Sequence, residues 1–231
     1  ALGLNFKWDM GWMNDTLEYF QQEPKDRQKK HHNKLTFAMH YRDNENYLRP
    51  LSHDEVVHEK RSLLGKMPGD EHAQFANLRV LLGYQWCLPG KHLLFMGGEI
   101  GQHSEWDHGG EIDWDCLNAA VLPRGLRKWG TDLNDRYRKE PALWEADYDG
   151  HGFSEINYQY SVKKVISFVR RSGNGEQVLA VFNLSERKYL DYRIGLPRDG
   201  RWCEVLNSDA EVYGGRNSGN SGGVHADLVR A

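Results

Sequence analysis

The stretch YLRPLSHDEVV, at residues 47–57, decides which fold the chain can adopt. A short apolar run ends there abruptly in Ser52, His53, Asp54 and Glu55, after which an apolar pattern resumes. Ser52 followed three residues later by Glu55 has the form of a capping box, which predicts the start of a helical segment. His53 and Asp54 are therefore predicted to lie where a strand ends and a helix begins, which in an α/β barrel is the chemical face.

A second apolar run of strand length, HLLFM at 92–96, breaks at two glycines and leads to Glu99. The segment between the two runs, 67–86, predicts a loop, a helix cap at Asp70 and then a helix with one apolar face. The order strand, helix, strand is that of a βαβ crossover between parallel strands. Since parallel strands end at the same edge of a sheet, Asp54 and Glu99 are predicted to share one face.

Aromatic residues open the chain. Trp8 and Trp12 are four residues apart in a segment that begins extended and turns helical. They fit core packing, and they also fit an aromatic face that lines a sugar groove, since flat rings meet the apolar faces of pyranoses. Further helices are predicted at 33–42 and from about 126 to 139.

The pattern changes after residue 150, where short β-branched runs replace the helical periodicity. Strands are predicted at 162–170 and 177–184, with a hairpin turn at 172–175 between them. Further strands are predicted at 189–194 and 202–206. Short strands with frequent turns indicate an antiparallel sheet or sandwich. The last 18 residues are rich in Gly, Ser and Asn and predict no closing strand.

Composition narrows the possible functions. The 231 residues carry 30 basic and 33 acidic side chains, a formal charge of -3, which favours neither a nucleic-acid nor an anionic-membrane partner. Cys87, Cys116 and Cys203 form no CxxC pair, which is typical of a reducing, cytoplasmic setting. No apolar stretch is long enough to span a bilayer. The start without Met inside an apolar run predicts a piece of a longer protein.

Metal binding is not predicted. His31 and His32 are adjacent and cannot both face one ion well. His103, Asp107 and His108 suggest a metal site on paper, but the polar composition of their loop explains them equally well. No cofactor is expected.

Six motifs occur in the same order as in a known family. They are KWDMGWMNDT at 7–16, PLSHDEVVH at 50–58, MPGD at 67–70, LLFMGGEIGQ at 93–102 with EWDH at 105–108, YRKEPALWEAD at 137–147 and GGRNSGNSGG at 214–223. On these residues the chain resembles the glycogen branching enzymes of the α-amylase superfamily along nearly its whole length.

The resemblance implies an α/β fold: the C-terminal part of a (β/α)8 TIM barrel followed by an antiparallel β-sandwich. Residues 1–145 would be the last strands and helices of the catalytic barrel, and 146–231 a C-terminal all-β domain, truncated at its end. The family cleaves an α-1,4 glucan chain and transfers the segment to a 6-hydroxyl, which forms an α-1,6 branch with retention. Its substrate is an α-glucan such as glycogen or amylose, and the parent is expected to be monomeric.

The resemblance also assigns residues. Asp54 matches the acid that stabilises the transition state, and His53 matches its histidine partner, a donor to a sugar hydroxyl. Trp8, Trp12, Glu99 and Trp106 are predicted substrate-binding residues, although Glu99 also reads as an ordinary loop acid and Trp106 as loop packing. Two departures stand out: Asn14 where His is expected, and Glu59 where the HDEVVHGK pattern has Gly.

The motifs of the nucleophile and of the acid/base carboxylate do not occur in these 231 residues. The isolated chain is therefore expected to be inactive. Two alternatives stay open: a glucan-binding or structural module without activity, and a related hydrolase of the trehalohydrolase type.

Overall fold

The computed structural model describes residues 3–27, 31–157 and 162–228. The strands are β1 (Lys7–Trp8), β2 (Tyr47–Leu51), β3 (Lys91–Leu94), β4 (Phe153–Asn157), β5 (Val165–Arg171), β6 (Gln177–Asn183), β7 (Gly200–Cys203) and β8 (Gly223–Ala226). The α-helices are α1 (Met10–Gln21), α2 (His32–Thr36), α3 (Glu71–Cys87), α4 (Cys116–Ala119) and α5 (Val121–Lys139).

The first three strands form a parallel sheet in the order β1-β2-β3. Helix α3 connects β2 to β3, so the predicted βαβ crossover is confirmed. The register places Leu51 beside Leu94, which brings the carboxyl ends of both strands to the same level. Gly90 permits this pairing, because its φ is +107° and a Cβ atom there would lie 2.7 Å from the carbonyl oxygen of Tyr47.

A side-chain cap fixes where α3 begins, whereas α5 begins without one. The Asp70 carboxylate accepts a 2.9 Å hydrogen bond from the amide of Ala73, which confirms the predicted cap of α3. Helix α5 starts at Val121, earlier than predicted, because Pro123 fits within a first turn. The helix predicted at 33–42 is shorter: α2 ends at Thr36 and continues only as a 3-10 turn.

Strands β4, β5 and β6 form an antiparallel sheet, and the predicted hairpin between β5 and β6 is confirmed. The ring of Phe182 meets Tyr84 of α3 edge-on at 5.5 Å, and Phe168 stacks beside it. One face of this sheet therefore shares a continuous core with α3 and the helices around the parallel sheet. The all-β character predicted after residue 150 is confirmed for the described residues, while the face-to-face sandwich stays a prediction.

The last strands differ from the prediction. Residues 189–194 form no strand; instead the rings of Tyr189 and Tyr192 pack against Lys163, at 5.9 and 5.0 Å from its ammonium. The Gly-rich tail, predicted to lack a strand, contains β8, which pairs antiparallel with β7. Gly223 makes that pairing possible, because a Cβ atom there would lie 2.5 Å from the carbonyl oxygen of Trp202. A strand whose side chains are mostly exposed lacks the apolar pattern that sequence reasoning requires.

Candidate functional site

The carboxyl ends of β2 and β3 open into a cleft. The amide of Phe95 donates to the carbonyl of Leu51 at 2.9 Å, which carries the sheet pairing past the end of β3. The cleft is lined by Leu51 and Ser52 from β2 and its continuation, by residues 94–98, and by Trp106. The two strand ends predicted to share one face therefore do so.

The backbone after β2 is not the predicted capping box. Residues His53–Glu55 form a single 3-10 turn rather than the start of an α-helix. The hydroxyl of Ser52, which is buried, donates to a carboxylate oxygen of Asp54 at 3.1 Å instead of accepting from Glu55. Only the Ser52 carbonyl accepts from the Glu55 amide, at 3.4 Å. The spacing therefore predicts a turn correctly, but the Ser52 hydroxyl donates to Asp54 and does not cap a helix.

His53 and Asp54 form a pair directly after Ser52, which lines the cleft. The His53 Nε2 atom lies 3.4 Å from the Asp54 Oδ1 atom, and the two side chains are 47% and 45% exposed. Since the Ser52 hydroxyl holds the other carboxylate oxygen, Asp54 is oriented from both sides while solute still reaches it. A carboxylate held in this way is suited to accept hydrogen bonds from hydroxyl groups or to face a developing positive charge.

Two aromatic rings stand beside this pair. The His53 ring lies 5.7 Å from Phe95 and 6.1 Å from Trp106, and those two rings meet edge-on at 5.1 Å. Trp106 is tied to the β2 side by its amide, which donates to the carbonyl of Val56 at 2.9 Å. The strand end therefore combines a carboxylate with aromatic surface, a pairing that suits a sugar.

The other predicted substrate-binding residues differ in how far their side chains are exposed. Trp8, at the end of β1, is 43% exposed. Glu99 is half-buried in the turn after β3, and within the described residues its carboxylate makes neither a hydrogen bond nor an ion pair. The prediction for Trp12 is wrong in this structure, because its side chain is fully buried in the core and offers no face to a ligand.

Lysines hold the loop that follows Asp54. The Lys60 ammonium donates to the Asp54 carbonyl at 2.8 Å and to a Glu55 carboxylate oxygen at 3.0 Å. Lys66, almost completely buried, donates to the Lys60 carbonyl at 2.6 Å and lies 3.7 Å from Glu55. Burial lowers the pKa of the Lys66 ammonium, and the charge of Glu55 opposes that shift. The loop is thus fixed by charged groups rather than by packing.

The departure at Glu59 has a structural correlate. Its φ is +66°, in the left-handed region that favours glycine, and its neighbours His58 and Arg61 have φ values of +56° and +68°. The backbone at position 59 is therefore one in which a glycine would be unstrained. Asn14, the other departure, lies exposed on α1.

Sequence reasoning missed two residues of this region. Phe95 read only as part of a strand, and the apolar run gives no sign that its ring faces His53. Glu105 stands in the EWDH motif without an assigned role, yet its carboxylate accepts from the backbone amides of Glu59 and Arg61. Contacts between residues 44 and 46 apart leave no trace in a single sequence.

Within the described ranges, no group of three or more His, Cys, Asp or Glu side chains is arranged to hold a metal ion. His103 and His108 instead lie 3.5 Å from Glu71 and 3.7 Å from Asp107, respectively. The same ranges contain no helix long and apolar enough to cross a bilayer.

Part of the chain matches a known domain family, and its fold is similar to that of solved structures. Residues 156–229 match the family model of the alpha amylase C-terminal all-beta domain. In fold, the chain is similar to the crystal structure of AmyP in complex with maltose, with a TM-score of 0.54 over 80% of this chain and 41% of that one. Since only 13% of the residues are identical, this likeness concerns the fold alone. The comparisons therefore show a fold similar to that of AmyP and, over residues 156–229, an alpha amylase C-terminal all-beta domain.

Sequence similarity is more specific. The chain is 52% identical over all of its 231 residues to the 1,4-alpha-glucan branching enzyme GlgB of Aromatoleum aromaticum, and 50% identical over 230 residues to that of Aquifex aeolicus. The resemblance to the branching enzymes is therefore confirmed along the whole chain. The chain spans about a third of the length of these relatives, 36% in both cases.

Proposed function

We propose that the protein containing this chain is a 1,4-α-glucan branching enzyme, which cleaves an α-1,4 glucan chain and transfers the segment to a 6-hydroxyl. The observation that carries the proposal is the His53-Asp54 pair at a parallel strand end, in a chain half identical to branching enzymes along its full length. Glycogen or amylose is the substrate proposed, and the reaction belongs to the biosynthesis of glycogen.

Asp54 is proposed as the carboxylate that stabilises the transition state. Retaining transfer needs a nucleophile and an acid/base carboxylate about 5–5.5 Å apart and passes through an oxocarbenium-like transition state. The half-exposed Asp54 carboxylate, oriented by Ser52 and His53, is placed to accept hydrogen bonds from sugar hydroxyls beside the cleaved bond. His53 would donate to a hydroxyl in the same subsite, while Phe95 and Trp106 cover the apolar face of the sugar.

The proposal extends to the architecture. Parallel strands joined by a crossover helix, as in the β1-β2-β3 sheet, are the elements of a (β/α)8 barrel, so residues 1–145 are proposed as the last part of that barrel. Residues 146–231 are proposed as the C-terminal all-β domain. The nucleophile and the acid/base carboxylate would come from barrel strands outside this chain. A monomeric, cytoplasmic protein without cofactor completes the proposal.

The test is Asp54→Asn in the full-length protein, assayed on amylose for new α-1,6 linkages. The variant keeps the shape and the Ser52 contact but loses the charge, so we expect turnover to fall by at least about 10²-fold, as for other lost transition-state hydrogen bonds. Near-normal turnover by the folded variant would remove Asp54 from the chemistry.

Product analysis separates the alternatives. Branching yields α-1,6 linkages with little new reducing sugar, whereas a hydrolase releases reducing ends or trehalose in step with cleavage. A module without activity would bind amylose in a titration and yield neither product. The 231-residue chain alone is expected to be inactive, and branching by that purified chain would contradict the assignment of the nucleophile to a segment outside it.

A further inference from the structure

The loop between Asp54 and Ser62 is held in an unusual backbone conformation. His58, Glu59 and Arg61 have φ values of +56°, +66° and +68°, a strained conformation that non-glycine residues keep only where the surrounding structure imposes it. In turns where right- and left-handed residues alternate, backbone amides can point to one side and form a concave site for an anion. Something must therefore hold this loop, and an anionic group is the natural partner.

The Glu105 carboxylate occupies that position. Its Oε2 atom accepts from the Glu59 amide at 3.0 Å, and its Oε1 atom accepts from the Arg61 amide. The following residue adds a third link, because the Trp106 amide donates to the Val56 carbonyl at 2.9 Å. The loop after β3 is thus hydrogen-bonded to three backbone groups of the loop after β2.

A further hydrogen bond connects this loop to the Asp54 backbone. Lys60 lies between the two residues that Glu105 holds, and its ammonium donates to the Asp54 carbonyl at 2.8 Å. Fixing the backbone on both sides of Lys60 aims its side chain back toward the turn that carries Asp54. Glu105 is itself anchored to the turn after β3 through Gln102, whose amide donates to the Gly97 carbonyl at 3.0 Å and whose side chain donates to the Glu105 carbonyl at 3.4 Å.

From this geometry we infer that Glu105 is a positioning residue: it fixes the left-handed loop at 59–61 so that Lys60 holds the Asp54 turn in place. The inference rests on the proposed function for its consequence in catalysis, and on the loop geometry alone for its structural part. Because Glu105 is inferred to act on the reacting atoms through Lys60 and Asp54, it is expected to affect turnover more than substrate binding.

The test compares Glu105→Ala with Glu111→Ala, an exposed glutamate of the same loop, in the full-length protein. For Glu105→Ala we expect kcat to fall at least about ten-fold, since small misplacements of a catalytic group are costly, with KM within about two-fold of wild type. Glu105→Gln, which keeps one acceptor oxygen, is expected to lie between Glu105→Ala and wild type. Unchanged kcat in Glu105→Ala would overturn the inference.

A double-mutant cycle with Lys60→Met tests the route. If Glu105 acts through Lys60, removing Glu105 in the Lys60→Met background costs little more than Lys60→Met alone. Fully additive losses would show that Glu105 acts by another path and would overturn the proposed route.

Hydrogen exchange supplies a readout that does not depend on activity. The amides of Glu59 and Arg61 are expected to lose protection in Glu105→Ala and to keep it in Glu111→Ala. Retained protection in Glu105→Ala would show that the Glu105 carboxylate does not hold the Glu59 and Arg61 amides. If the wild-type protein makes no α-1,6 linkages, the proposed function fails, yet this exchange measurement still decides whether Glu105 holds the loop. Folded Glu105→Gln provides the same comparison if the alanine variant does not fold.

Discussion

At the scale of single residues, Glu59 has a backbone conformation that disfavours any residue with a Cβ atom. Its φ of +66° is one that non-glycine residues adopt at a cost of roughly 1–3 kcal/mol, whereas glycine adopts it freely. Glycine also loses more chain entropy on folding, which offsets part of that gain. Glu59→Gly is therefore expected to raise the free energy of unfolding by about 0.5–1 kcal/mol, measured by denaturant unfolding.

The matched control is Glu111→Gly, at an exposed glutamate that does not have a positive φ. There the glycine gains nothing in the folded state and loses entropy, so stability should stay unchanged or fall. Equal effects at the two positions would mean that the strain read from the backbone of Glu59 has no energetic weight.

At the scale of elements, the sequence predicted best where pattern and cap agree. Helix α3 was found because an apolar face follows Asp70, and β2 and β3 because each apolar run ends sharply in polar residues. Sequence reasoning does not predict β8, because its pairing depends on the absence of a side chain at Gly223 rather than on apolar residues. It also failed for Trp12, since helical spacing shows that two residues share a face but not whether that face is buried.

His92 shows how neighbouring elements set the protonation of a strand residue. Its ring stacks on Trp86 of α3 at 5.2 Å and meets Tyr137 of α5 edge-on at 5.0 Å. Desolvation, followed by the positive charges of Arg170, Lys91 and Arg49, lowers the pKa of His92 to about 3. Its Nε2 atom has no hydrogen-bond partner among the described residues, so protonation there would leave a buried charge.

The sign of the pH effect follows from that shift. An unfolded histidine has a pKa of about 6.5, so between about 6.5 and 3 the unfolded state binds more protons than the folded state. Stability is thus present above pH 6.5 and is lost as the pH falls, with a slope approaching about 1.4 kcal/mol per pH unit. His92→Phe should flatten this dependence in unfolding curves from pH 7 to 4, whereas His108→Gln, at a largely exposed histidine, should leave it unchanged. An unaltered slope in His92→Phe would contradict the assignment.

At the scale of the whole molecule, a buried ion pair joins the parallel sheet to the antiparallel one. The carboxylate of Asp147 accepts from Arg170 of β5 at 2.7 Å and from Lys91 of β3 at 2.9 Å. Arg170 also donates to the carbonyls of Cys87, at the end of α3, and Gly152, at 3.0 and 3.2 Å. Since the Asp147 and Arg170 side chains are at most 1% exposed, neither charge has water as a substitute partner.

Asp147→Asn is therefore expected to lower the free energy of unfolding by about 3–5 kcal/mol, because it leaves the Arg170 guanidinium buried without a counter-charge. Asp135→Asn, which breaks an exposed pair with Arg138, should cost less than about 1 kcal/mol. Replacing both partners, as in Asp147→Leu with Arg170→Met, removes the unpaired charge and should be less destabilising than Asp147→Asn alone. If the double variant is instead the least stable in chemical denaturation, the Asp147–Arg170 pair itself adds to the free energy of unfolding. Its attraction would then join the two sheets more than their shared core does.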